Sequence, residues 1–246
     1  MEPVHDRFLP TAPDTQAAME SLQLEIASAA TFGNDIAFTP ADIRAGDAVV
    51  AGIDQAFLDD RAVSAIVVLR GSDVIAREHA ITPVSTPYVP GLLAFREGES
   101  IVAALESLET EPDLLVFDGS GRIHYREAGI ATHLGVCFDT PSVGVAKSLL
   151  CGRPRRPTAA LEASERVPIE ADDSMTASDG TVVGHAYQSR QYSDSTIINP
   201  LYVSPGHRLG VATATDCIAA CGGEYKLPRP TRLADQYADE LKSDVA

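Results

Sequence analysis

The sequence predicts an α/β fold, a mixed central β-sheet flanked by helices. Three features carry that expectation. Apolar, β-branched segments dominate residues 47–82 and are broken by one short turn. Beyond residue 97, strand-like and helix-like segments alternate, the pattern of a sheet with crossover helices. Finally, 246 residues with 45% apolar side chains suffice to bury a sizeable core.

Residues 12–30 read as a helix, with Leu22, Ile26 and Ala29 at helical spacing and Glu20 and Glu25 between them. The segment from Thr31 to Gly46 is mixed, and Pro40 interrupts it. "DAVVAGIDQAF" reads as a strand with Asp54 near its end, and "AVSAIVVL" (62–69) as a buried strand. "GSD" marks a turn, after which "VIAREHAIT" is the next antiparallel strand. A helix is expected from Glu97, where Ile101, Ala104, Leu105 and Leu108 recur every three or four residues. "PDLLVFDGSG" is an apolar strand that runs into a glycine-rich turn. "AGIATHLGVCF" is a helix, "TPSVGVAKSLL" a short strand and loop, and "RLGVATATDCIAACG" a helix that stops at Gly222–Gly223. Residues 151–181, rich in proline, charge and small side chains, read as a surface excursion within a single domain spanning 1–246. "TVVGHAYQSR" and "TIINPLYVSPG" carry strand propensity, and the tail ends in a helix.

No apolar run reaches the roughly 18 residues of a membrane span, and the first residues lack a secretory pattern, so a cytoplasmic protein is expected. Cys137, Cys151, Cys217 and Cys221 form no C-x-x-C, which favours reduced structural thiols over a zinc site. The net charge is -16, with 35 acidic and 19 basic residues, of which three are lysines. Such a field repels phosphate at low salt, but it is screened in concentrated salt, where the Debye length falls to about 3 Å at 1 M. Total charge therefore does not name the partner.

Three acids stand out by context. Asp54 and Asp118 each end an apolar run, and Glu97 follows "LAF" at a helix start. A buried, unpaired carboxylate is costly, so such groups need solvent, hydrogen bonds or a cation. Oxygen ligands without cysteine suit Mg²⁺ or Mn²⁺. The alternative for each acid is a cap or a turn, since "DG" is itself a turn signal. Lys147 is a compact cation after a strand and a candidate phosphate contact. His124 is a candidate for contact with phosphate or water; His133 and His207 divide between structural and functional roles. The cluster Arg153, Arg155 and Arg156 is either a phosphate track or a surface patch.

With these residues in place, the segments "AGIDQAF", "PYVPGLLAFREG", "LLVFDGSGRIHYREAGIATHLG", "PSVGVAKSLL", "YVSPGH" and "PRPTRLAD" resemble the endonuclease V family. They occur in family order over residues 47–152 and 182–210, then again in the tail. The resemblance implies a ribonuclease H-like fold and an Mg²⁺-dependent endonuclease, with Mn²⁺ as a substitute. It implies DNA repair by cutting the second phosphodiester 3′ to deoxyinosine, leaving 3′-hydroxyl and 5′-phosphate ends. It assigns Asp54, Glu97 and Asp118 to the metal, and Lys147 and His207 to the catalytic centre. It makes Pro87, Tyr88, Val89 and Pro90 a wedge, and Gly91, Leu93, Gly119, Gly121 and His124 the surroundings of the lesion. Inosine-containing DNA is the expected partner and a monomer the expected state. An endoribonuclease on inosine-containing RNA and a noncatalytic nucleic-acid binding module are the alternatives. Ser120 and Tyr125 depart from the family pattern, in "DGSG" and "IHYR".

Overall fold

The structure, a computed structural model, describes all residues except 12, 14, 59, 85, 86, 88, 193–197 and 246, and the side chains of 244 and 245. The proposed wedge residue Tyr88 therefore lies outside the described residues.

Among the described residues, nine strands form one sheet: β1 (Val49–Leu58), β2 (Arg61–Arg70), β3 (Asp73–Pro83), β4 (Leu114–Asp118), β5 (Ser142–Ala146), β6 (Arg153–Pro154), β7 (Arg166–Glu170), β8 (Val182–Tyr187) and β9 (Leu201–His207). Their order is β3-β2-β1-β4-β5-β9-β8-β7-β6. The first three strands are an antiparallel meander, as the turn at Gly71 and Ser72 requires. β1, β4 and β5 are parallel neighbours; β4 and β5 are buried almost throughout and β1 from Val49 to Asp54, as central strands covered on both faces must be.

Helices α1 (Gln16–Ala29), α3 (Leu93–Glu106) and α4 (Ile130–Cys137) contribute to the core on one face, where Ile26, Ile101, Leu105 and Leu134 meet Ile53, Ile66 and Phe117. The other face carries α2 (Pro40–Ala45), α5 (Val211–Ala220) and α6 (Arg229–Val245). There Ile43 and Ile218 join a core with Val50, Val116 and Val143, and Ala234 packs on Val67 and Leu69. α6 comes onto β1 because Gly52 has no side chain: a Cβ there would lie 2.1 Å from the Pro230 carbonyl carbon.

Two expectations change. Pro40 starts a helix rather than interrupting a segment. Thr39 caps α2 in a box with Asp42, proline occupies the first turn, where its missing N–H costs nothing, and Gly46 closes the helix at φ 82°. Residues 151–181 are not merely a surface excursion. They add β6 and β7 to the sheet, and Leu161, Val167, Ile169 and Ala171 are buried in a core of their own with Ile123 and Val183. The four cysteines are free and buried, and burial pushes each thiol up to about 12.

Candidate functional site

Asp54 and Asp118 are brought together by register. Ile53 of β1 pairs with Phe117 of β4, so the next residue on each parallel strand is an aspartate. Phe117 and Ile53 turn into the α1, α3 and α4 layer. By the period-two alternation of a strand, the two aspartates turn to the α6 side. Asp235 of α6 meets them there. One carboxylate oxygen from each of Asp54, Asp118 and Asp235 lies within 4.8 Å of the others. Lys147, two residues beyond the Val145 that pairs with Asp118, donates from Nζ to Asp118 Oδ2 at 2.7 Å.

Three acids served by one such ammonium are electrostatically unsatisfied. Burial is the largest cause that raises the Asp54 carboxyl, to about 8, and the Asp118 charge and the Asp235 hydrogen bond add to it. Burial pulls the Lys147 ammonium down, but its hydrogen bond to Asp118 and the surrounding carboxylates outweigh this and leave it raised. An all-oxygen donor set with excess negative charge fits a hard divalent cation.

Glu97 reaches the strand ends from α3, on the opposite face of the sheet, and so stays outside the 4.8 Å group. It is still buried beside them: burial, then the Asp118 charge, push its carboxyl up to about 7 against the pull of Arg96. Arg96 itself stacks over Phe57, 4.7 Å from the ring centroid.

His207 is not brought to this centre. It pairs with Ser142 at the start of β5, whereas Asp118 pairs with Val145 at the other end of that strand. Three residues of strand, roughly 10 Å, separate the two positions. His207 Nδ1 accepts from the Thr31 N–H at 3.1 Å, and its Nε2 faces Asp139 Oδ1 at 3.1 Å. This is the environment of a buried structural histidine. His133 is likewise internal, bonded through Nε2 to the Phe8 carbonyl at 2.9 Å.

A narrow cavity of about 70 Å³ lies nearby, lined by Gln23, Gly91, Leu93, Ser120, His124 and Leu150 among others. His124 Nδ1 accepts from the Arg126 N–H at 3.2 Å, so its Nε2 carries the proton and donates to the Gly91 carbonyl at 2.9 Å. Burial pushes His124 down to about 4, keeping it neutral. Gln23 donates to the same carbonyl at 2.8 Å and accepts from Arg126 Nη1 at 3.1 Å, and Arg126 also binds Glu20. Gly91, at φ 82°, leaves no room for a side chain, because a Cβ would sit 2.9 Å from the Tyr125 ring. Gly119 and Gly121, expected around the same cavity, do not line it. Gly121 gives its N–H to Ser204 Oγ at 3.0 Å, and the absence of a side chain there lets it lie against the Pro205 carbonyl.

The sequence model of the Endonuclease V family matches residues 34–236, most of the chain. The chain belongs to the endonuclease V family. An Endonuclease V of Natronomonas pharaonis is 69% identical over 99% of this chain and 98% of its own length. The crystal structure of the Bacillus subtilis Endonuclease V superposes with a TM-score of 0.83 at 28% identity, covering 100% of this chain and 98% of that one. The Ciona intestinalis Endonuclease V, solved with a 24mer DNA containing an inosine followed by a ribo-adenosine, has a TM-score of 0.77 at 25% identity, covering 94% and 98%. The fold is thus that of the endonuclease V structures, ribonuclease H-like, with a central mixed sheet between helical layers. This member of the family is a nuclease homologue.

Sequence reasoning missed Asp235. It stands in "PRPTRLAD", a segment included in the resemblance but given no role. Nothing in its own helix distinguishes it from the exposed Asp239 and Glu240.

Proposed function

We propose that this endonuclease V is a metal-dependent nuclease that cuts the second phosphodiester 3′ to deoxyinosine, leaving 3′-hydroxyl and 5′-phosphate ends, in DNA repair. The observation that carries the reading is the Asp54, Asp118 and Asp235 cluster with Lys147 against it, set near the cavity at His124.

Asp54, Asp118 and Asp235 would hold Mg²⁺, with Mn²⁺ as a substitute. When bound, the cation supplies charge that holds the attacking and leaving oxygens of an in-line displacement. The residues do the rest. Lys147 places an ammonium where negative charge grows on the phosphoryl oxygens. Glu97, its carboxyl pushed to about 7 beside Asp118, is set to orient the attacking water and take its proton. Neutral His124 and the walls at Gly91, Leu93 and Ser120 receive the edge of an extruded purine. Pro87, Val89 and Pro90, with the backbone angle fixed at each proline, would supply the wedge that keeps the stack open. The 24mer DNA with an inosine followed by a ribo-adenosine, solved with the Ciona protein, supports DNA as the partner.

The test is a side-by-side assay of matched DNA and RNA oligonucleotides, each with one inosine, in Mg²⁺, Mn²⁺ and chelator. A single metal-dependent nick one nucleotide beyond the inosine in DNA is expected. Equal cutting of inosine-free controls, or no cutting in either metal, would refute the reading. Faster cutting of the RNA would move the substrate class to RNA.

A further inference from the structure

Beyond the acid cluster, on the side where Lys147 emerges, the surface reverses its charge. A groove of about 410 Å³ is lined by Lys147, Tyr192, Tyr225, Lys226, Leu227 and Arg232. The chain has three lysines, and two of them are here. Lys226, Arg190 and Arg232 form no ion pair with a carboxylate among the described residues, although acids outnumber bases 35 to 19 in this chain. Tyr192 and Tyr225 are 40% and 54% exposed, unusually open for rings. Guanidinium groups accompany both: Arg232 stands 4.3 Å from the Tyr225 centroid and Arg190 stands 5.9 Å from that of Tyr192.

The groove is a built feature. Its floor is the loop between α5 and α6, and side chains from the end of β8 pin that loop by its carbonyls. Ser189 Oγ donates to the Lys226 carbonyl at 2.6 Å, Arg190 Nη1 to Gly223 at 2.8 Å and the Tyr192 hydroxyl to Glu224 at 3.2 Å. Backbone groups are thereby consumed, while the Tyr225 ring and the Lys226 ammonium are left presented. Exposed aromatic faces interleaved with unpaired cations are what a flexible single strand needs: bases stack and phosphates find charge, without sequence readout.

Position gives the strand a direction. The loop after β5 places Leu150 on the cavity beside His124, Lys147 on the acid cluster, and Lys147 again on the edge of the groove. We propose that the groove holds the nucleotides downstream of the cut, as a stacking platform of Tyr225 and Tyr192 with Lys226 and Arg232 on the phosphates. The direction rests on the nuclease reading above; the platform itself rests on the groove. It binds single-stranded nucleic acid, so it acts on strands that are unpaired on the 3′ side of the inosine.

Fluorescence anisotropy in chelator tests this, with single strands carrying inosine and either two or about eight nucleotides on its 3′ side. The protein is expected to hold the longer strand about tenfold more tightly. Tyr225→Ala and Lys226→Ala should each remove most of that gain and leave the short strand unchanged, whereas Tyr225→Phe retains it. Lys226→Ala should also lower the slope of log affinity against log salt by about 0.7. Equal affinity for the two lengths, or variants that weaken both equally, would overturn the platform. Length-dependent binding by a protein that makes no metal-dependent cut supports the platform and refutes the nuclease reading instead.

Discussion

Two charged regions of the molecule are organised in opposite ways. At the β6–β7 edge every arginine closes on an acid. Arg155 donates to Glu170 at 2.8 Å, Arg153 binds Asp179 at 2.9 Å, and Arg156 binds Glu165. The three arginine side chains are about half exposed, so solvent screens each pair and its contribution to stability is small. At the strand ends the reverse holds: Asp54, Asp118 and Asp235 are forced together around one lysine ammonium. In sequence the arginine run 153–156 was either a phosphate track or a surface patch, and in the structure its charge pairs within its own edge. The lesson is that charge density says little and unpaired charge says much. In a chain of net charge -16, three convergent acids share one lysine ammonium at the strand ends, while Lys226 and Arg232 beside them pair with no carboxylate among the described residues.

That contrast can be broken most sharply at its centre. Asp118→Asn should lower cleavage by about a thousandfold or more while binding in chelator survives. Asp235→Asn should lose about a hundredfold. His207→Gln should cut within about twofold of the parent and instead destabilise the fold by about 1–2 kcal/mol, read by thermal unfolding. A loss of cleavage from His207→Gln as large as that from Asp235→Asn would undo the geometric distinction between the two ends of β5.

A smaller effect concerns stability against pH. Asp54 at about 8 and Glu97 at about 7 keep protons in the folded metal-free protein that the unfolded chain has released. Their stabilising contribution is therefore full below the ordinary carboxylate range and is lost as pH rises through 7 and 8. Between pH 6 and 8.5, metal-free Tm should fall by about 5 °C, and Mg²⁺ should flatten the dependence. Calorimetry in two buffers should show protons released as Mg²⁺ binds. A metal-free Tm that rises across this interval would contradict the crowding of acids. The smallest effect belongs to the paired edge. Arg155→Ala should cost at most about 1 kcal/mol and leave both cleavage and the salt dependence of binding unchanged. A lowered salt slope would place that edge on the phosphate backbone after all.

What could be read in advance followed from local rules, and what could not followed from packing. Asp54 and Asp118 were legible because a carboxylate at the end of an apolar run has few places to go, and the parallel β1–β4 pairing placed them side by side. Asp235 was illegible because a polar helix offers many acids; the contacts of Pro230 with Gly52 and of Ala234 with Val67 and Leu69 fix the line along which α6 crosses the sheet. His207 was assigned to the centre through the resemblance in "YVSPGH"; its distance from the acid cluster was not legible, since it stands at the other end of the β5–β9 pairing, facing Asp139. Residues 151–181 hid Val167 and Ile169, alternate positions of a strand, among prolines and charges. Gln23 sits on α1 between apolar neighbours and gave no sign that it would hold the Gly91 carbonyl.

The last helix has a consequence in the life of the chain. Two acids of the cluster lie on strands made early, Asp54 and Asp118, but the third arrives with α6, close to the end of the sequence. During synthesis, and in any copy clipped ahead of α6, the cutting centre lacks one wall. On the chemistry proposed here, an unfinished or damaged copy is a harmless one.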